Sequence, residues 1–170
     1  MMTRGKKLRL ISWNLKGANQ PMKCNKVMTH LKQLGGDVFF LQETHLCTSD
    51  VKNIKWPHYQ ADVFHSKFPV RARGAAILIS KNAQFELSNS IEDSNGRFVI
   101  VSGRLCGTPV VMACVYAPTS FFSSLPKVDD HYLIIGGDFN LIQDPSWTGL
   151  PLALRRYLSQ LKSLTHIKSV

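Results

Sequence analysis

Four apolar runs in this 170-residue sequence end on side chains that can bind a metal ion or a phosphate group. The first ends at Trp13-Asn14 and the second at Gln42-Glu43. The third ends at Tyr116, followed by Ala117-Pro118, and the fourth at Gly136-Gly137-Asp138-Phe139-Asn140. Strand backbones hold such terminal residues rigidly while the loops that follow leave room for a ligand, so layered α/β folds gather their sites at strand ends. Convergence of these residues is the natural inference, and metal- or phosphate-directed chemistry its consequence. Each residue also has a plainer reading. A Glu after a strand is commonly a solvated loop residue, Gly-Gly-Asp commonly a turn in which the glycines supply positive φ, and Tyr116 a residue at the edge of the core. His45, two residues after Glu43, reads as a loop histidine, and Trp13 and residues 38–41 read as core.

The elements that must position these residues follow from periodicity. Residues 8–13 alternate and stop at a polar Asn14, as a strand does. Pro21 suits a first helical turn, and Met22, Val27, Leu31 and Leu34 recur at helical spacing until Gly35-Gly36 ends the segment. Residues 37–42 hold the run Val-Phe-Phe-Leu, whose length favours a buried strand. Strand, helix, strand is the opening of an α/β fold. From about residue 60 the character changes. Residues 75–80, 85–87, 97–105 and 110–116 are rich in β-branched or aromatic side chains, with turns at Asn95-Gly96 and Cys106-Gly107, and they predict antiparallel neighbours. Residues 131–135 form another short strand that closes on Gly136-Gly137. The runs are mostly continuous, which predicts sheets covered on both faces. After Pro145, Pro151 can start a helix that places Leu154, Leu158, Leu161 and Leu164 on one face.

Composition bounds the function. A hydrophobic content of 44% and a charged content of 19% give one globular domain and exclude a disordered or fibrous chain. The longest apolar stretches are far too short to span a bilayer, and the start lacks the apolar run of a signal peptide, so the expectation is an intracellular chain with no membrane partner. Cysteines 24, 47, 106 and 114 show no Cys-x-x-Cys spacing, and neither a disulfide nor a zinc site is expected. The formal net charge of +10 attracts polyanions, nucleic acid foremost, although Lys6, Lys7, Arg9, Lys67, Arg71 and Arg73 are dispersed.

Five motifs in order carry a more specific signal: I-S-W-N-L-K-G at 11–17, V-F-F-L-Q-E-T-H at 38–45, R-G-A-A-I-L-I at 73–79, V-Y-A-P at 115–118 and G-G-D-F-N at 136–140. Together they resemble the exonuclease-endonuclease-phosphatase family, most of all the endonuclease domains of long interspersed retrotransposons and apurinic-site endonucleases. The resemblance implies an α/β (α+β) fold, a four-layer sandwich of two mixed sheets with outer helices. It implies a magnesium-dependent phosphodiesterase, manganese being an alternative ion, that acts on DNA in the nucleus, as a monomer with no protein partner indicated. Glu43 matches the metal ligand, with Asn14, Asp138 and Asn140 also in the metal shell. Asp138 and Asn140 match the pair that orients the attacking water, and Asn14 and Tyr116 match residues that contact the metal shell or the scissile phosphate. His45 occurs at this place in retrotransposon-type members.

The resemblance also sets an expectation about the end of the chain. Family members continue to a Ser-Asp-His segment. Here Asp144 is the only carboxylate and His166 the only histidine beyond Asn140. The interval from Tyr116 to Asp138 is short as well. The expected organisation is therefore a C-terminally truncated family domain over residues 1–145 and a divergent tail over residues 146–170, with catalysis weakened or lost. Two alternatives stand beside that reading: a non-catalytic nucleic-acid-binding remnant, and a phosphatase acting on a phosphoinositide or another small phosphate ester.

Overall fold

The computed structural model describes residues 7–47, 50, 60–66, 68–116, 124–126 and 130–138, with Asp138 by its backbone alone. The helix expected after Pro151 lies outside the described residues.

Strand β1 (Leu10–Asn14) leads into helix α1 (Pro21–Leu34) and returns as β2 (Val38–Gln42). Pro21 occupies the first helical turn, where a missing N–H costs nothing. Gly35 ends the helix in the left-handed conformation (φ 57°) and gives its N–H to the Leu31 and Lys32 carbonyls. β1 and β2 are parallel, in a register that sets Asn14 opposite Gln42. β4 (Ala75–Ser80) runs antiparallel to β2, and β3 (Ala61–His65) pairs antiparallel with β4, so the first sheet has the order β1-β2-β4-β3. The second sheet, β5-β6-β7-β8, joins β5 (Phe85–Glu92), β6 (Phe98–Leu105) and β7 (Thr108–Tyr116) as antiparallel neighbours and adds β8 (Tyr132–Asp138) parallel to β7. The turns fall where the glycines predict, with Gly96 at φ 72° and Cys106-Gly107 at 50° and 80°.

The two sheets lie face to face. Val38, Phe40, Ile77 and Ile79 of the first meet Val99, Val101, Met112 and Cys114 of the second in one buried cluster. α1 covers the outer face of the first sheet, where Val27, Met28 and Leu31 pack against Phe39, Leu41 and Leu78. A third cluster, around Phe98, Ile100, Val111 and Val115, lies on the outer face of the second sheet and includes Leu125. The architecture is the expected α/β sandwich of two mixed sheets. No helix among the described residues is long and apolar enough to cross a membrane.

The strands depart from the sequence reading at four places. β4, expected beside β5, pairs with β2 and β3 in the first sheet instead. β3 was not anticipated: it is an edge strand whose residues 61–64 are only partly buried, and its Asp62, paired with Lys81, breaks the apolar signal. β5 runs to Glu92, well past residue 87, because its middle residues face solvent and carry polar side chains. β8 does not close at its glycines but continues through them to Asp138. A Cβ on Gly136 would stand 2.6 Å from Phe40 Cβ, so close approach of the sheets, not a turn, requires glycine there.

Candidate functional site

Contacts between the sheets fix where the four strand ends lie. Gly136 of β8 faces Phe40 of β2. Two residues further along β2, the buried Gln42 donates its side-chain amide to Cys114 Sγ of β7 at 3.4 Å and to Ser12 Oγ of β1 at 3.2 Å. Cys114 in turn donates its thiol proton to the Leu41 carbonyl at 3.3 Å. Complete burial pushes the Cys114 thiol up to about 12 and keeps it protonated as a donor. Asn14 is level with Gln42, Tyr116 lies two residues beyond Cys114, and Tyr116 pairs with Asp138. The ends of β1, β2, β7 and β8 therefore meet at one edge of the sandwich.

At that edge Asn14 Nδ2 donates to Glu43 Oε1 at 2.7 Å, and Asn14 Oδ1 accepts the Lys16 backbone N–H at 3.0 Å. Glu43 Oε2 lies 3.8 Å from His45 Nε2, with the two side chains 24% and 28% exposed. The histidine that sequence reading left as a loop residue thus belongs to the same cluster. Gly17 makes room for its ring: a Cβ there would meet His45 Nδ1 at 2.8 Å. Tyr116 is half-buried and its backbone N–H is bound to the Arg97 carbonyl at 2.6 Å. The structure brings Asn14, Glu43 and His45 together, and sets Tyr116 and the Asp138 backbone on the same edge. The Asp138 side chain and Asn140 lie outside what is described.

Glu43 and His45 adopt left-handed backbone conformations, with φ of 50° and 54°. Residues with a Cβ rarely do so unless the surroundings over-determine them. The surroundings here are backbone clamps on both sides. Gly17 and Ala18 N–H groups bind the Glu43 and Thr44 carbonyls, while Thr44 and His45 N–H groups bind the Gly74 and Arg73 carbonyls, at 2.7–3.1 Å. The R-G-A-A motif therefore serves as a brace for the Q-E-T-H turn. A further tie comes from Arg71, whose guanidinium grips Asp50 at 2.7 and 2.9 Å and holds that carboxyl well below the usual range. Asp50 accepts the Cys47 N–H at 3.1 Å.

The donor set at this edge is a carboxylate and a carboxamide, both hard oxygen ligands, in a partly exposed position where water can complete a shell. That chemistry suits magnesium, which keeps several of its waters and takes one or two protein carboxylates. Among the described residues no group of three or more His, Cys, Asp or Glu side chains is arranged to hold a metal ion.

Sequence reasoning missed one pair beside this cluster. Thr44 Oγ1 and His65 Nε2 are 2.9 Å apart and buried. The two are 21 positions apart, and the only sequence signal was the Thr inside Q-E-T-H.

Residues 11–166 match the model of the Endonuclease/Exonuclease/phosphatase family. The chain is 31% identical over 158 residues to the Transposon TX1 uncharacterized 149 kDa protein of Xenopus laevis, an alignment that takes in 85% of this chain and 12% of that protein's length. Its fold is similar to that of D. rerio TDP2 complexed with a single strand DNA product, with TM-score 0.62 and 20% identity over 86% of this chain and 67% of that one. It is also similar to the AP endonuclease LMAP from Leishmania major, with TM-score 0.60 and 15% identity over 79% and 55% of the two chains. Those two likenesses concern the fold. The family match, with the relative's sequence identity, shows that this chain belongs to the Endonuclease/Exonuclease/phosphatase family.

Proposed function

We propose that this chain is a magnesium-dependent phosphodiesterase that cleaves the backbone of DNA, with its reaction centre at the shared strand-end edge. The observation that carries this reading is the 2.7 Å hydrogen bond from Asn14 to Glu43, which holds a carboxylate where four family motifs converge. Glu43 and Asn14 hold the metal by their oxygens, with manganese an acceptable substitute. When bound, magnesium polarises the phosphate and offsets its charge. Asp138 and Asn140 orient the attacking water; Asp138 takes its proton as the water oxygen bonds to phosphorus and the P–O bond to the departing sugar oxygen breaks, that oxygen taking a proton from bulk water. Tyr116 directs its phenol at a phosphate oxygen, where charge builds in the transition state. Electrostatic stabilisation by one such donor is worth about 3 kcal/mol, roughly a hundredfold in rate.

DNA as the substrate is supported by the net charge of +10, which favours a polyanion over a small phosphate ester. It is supported further by the transposon relative and by the DNA product in the D. rerio TDP2 structure. A thermal melting series in magnesium tests the metal centre. Stability of the wild type should rise with ion concentration, by about 2.7 kcal/mol at a hundredfold excess over the dissociation constant. Glu43→Ala should not respond. An equal response in the two proteins would remove Glu43 from the metal site.

A further inference from the structure

Thr44 lies between two residues that face the candidate site, yet its own side chain points away from it. Glu43 and His45 are partly exposed, whereas Thr44 is 1% exposed and its hydroxyl is directed into the protein. There Oγ1 accepts the Leu46 backbone N–H at 3.5 Å and meets His65 Nε2, at the end of β3, at 2.9 Å. The Leu46 bond uses one lone pair of the oxygen and leaves the hydroxyl proton free to point at His65, which it does when the ring carries its proton on Nδ1. A neutral ring with an unprotonated Nε2 accepts it.

The pair has no slack. Gly74 has a φ of 124°, and a Cβ there would overlap Thr44 Oγ1 and stand 3.3 Å from His65 Nε2. The ring is 8% exposed and is held also by a hydrogen bond to the Ser66 backbone. Beside it, Ser66 Oγ accepts the Ala75 N–H at 2.9 Å, which continues the same brace into β4. A valine and a leucine would fill this volume without burying a titratable ring. What they lack is direction, because a hydrogen bond fixes the rotation of the threonine side chain while apolar contact leaves it free to shift. Rotation matters at this position, since Thr44 joins two left-handed residues, one of which carries the carboxylate.

We propose that His65 is a positioning residue of the reaction centre: by accepting the Thr44 hydroxyl proton it locks the turn that aims Glu43 at the strand-end edge, and so sets the protein's affinity for magnesium. The inference rests on the reading of Glu43 as the metal ligand. Residues that orient a ligand commonly change metal affinity by about 10- to 100-fold when lost.

The test follows the magnesium concentration at which each protein gains half of its maximal thermal shift. Thr44→Val and His65→Leu delete the hydrogen bond from opposite sides, so a folding failure in one leaves the other. Both should require at least about tenfold more magnesium than wild type. Thr44→Ser keeps the hydroxyl and His65→Gln keeps an acceptor, and both should stay near the wild-type concentration. A merely structural pair would lower the metal-free melting temperature and leave the magnesium requirement alone, which would overturn the proposal. Equal losses in His65→Gln and His65→Leu would overturn it too, since volume and not the hydrogen bond would then matter. A wild type that gains nothing from magnesium would remove the metal reading and this proposal together, whereas a responsive wild type with unchanged deletion variants would remove this proposal alone.

Discussion

The Asn14 carboxamide donates to Glu43 Oε1 at 2.7 Å across the ends of two parallel strands. The bond has two consequences. It orients the carboxylate before any ligand arrives, and it does so with a neutral group, so the negative charge of Glu43 stays available to a cation.

Exchanging the neutral group tests that arrangement. Asn14→Ala should cost about 1.5 kcal/mol of stability, the lower end for a bond to a charged group because Glu43 keeps contact with water. It should also raise the magnesium requirement. Asn14→Asp puts a second carboxylate against Glu43, and like charges at that distance destabilise the metal-free protein. Magnesium offsets that repulsion, so Asn14→Asp should gain more stability from the ion than wild type gains. Melting curves with and without magnesium measure both effects, and equal gains in the two proteins would show that residue 14 does not face the ion.

Gly136 is predicted to tolerate no side chain, a limit it shares with its β8 neighbour Gly137, whose Cβ would overlap the Val115 carbonyl oxygen. The Cβ of an alanine in place of Gly136 would meet the root of the Phe40 side chain at 2.6 Å, an atom that cannot swing aside as a side-chain tip would. Overpacking of this kind costs about 1–3 kcal/mol, and the upper end applies where the backbone of two sheets must separate. Gly107→Ala is the comparison. It has open space around it but a φ of 80°, so it bears only the conformational penalty of about 1–2 kcal/mol. Urea denaturation should rank Gly136→Ala as the more destabilised protein, and the reverse order would mean that the sheets are less tightly apposed at Phe40.

Much of this arrangement was legible in the sequence. Pro21 and Gly35-Gly36 bracket the helix because one tolerates a first turn and the other a left-handed cap, both local effects. The run Val38–Gln42 reads as buried because every residue in it is buried. The strand-end positions of Asn14, Glu43 and Tyr116 followed from where apolar runs stop. The rest depended on tertiary contact. Gly136-Gly137 resembled a turn because a close approach by Phe40 leaves the same sequence signal as a positive φ. β3 escaped because an edge strand needs only half of its residues to be apolar. The left-handed turn at Glu43 and the Thr44–His65 pair were invisible because the groups that enforce them, Gly17, Gly74 and Arg73, come from distant segments.

Acid should destabilise the protein through His65. Burial lowers this imidazole from its ordinary value of about 6.5 to about 4. A group depressed in the folded state contributes stability that is fully present above its unfolded value and lost as pH falls through its folded value. The window is therefore pH 6.5 down to 4. The loss across it is on the order of 3 kcal/mol. Urea denaturation at pH 7.5, 5.5 and 4.5 should show a decline in wild type that is reduced in His65→Gln, whose side chain does not titrate. The same pH slope in both proteins would mean that His65 already binds a proton in the folded state.

Plasmid nicking tests the central claim most directly, namely that the strand-end edge around Glu43 is a metal-dependent phosphodiester-cleaving centre. Supercoiled DNA is incubated with the wild type and with Glu43→Ala, each in magnesium and in excess chelator, and conversion to the open-circular form is followed. The account predicts nicking by the wild type in magnesium, its loss in chelator, and a decrease of about two orders of magnitude or more in Glu43→Ala. Nicking that Glu43→Ala leaves unchanged, or that survives the chelator, would contradict it.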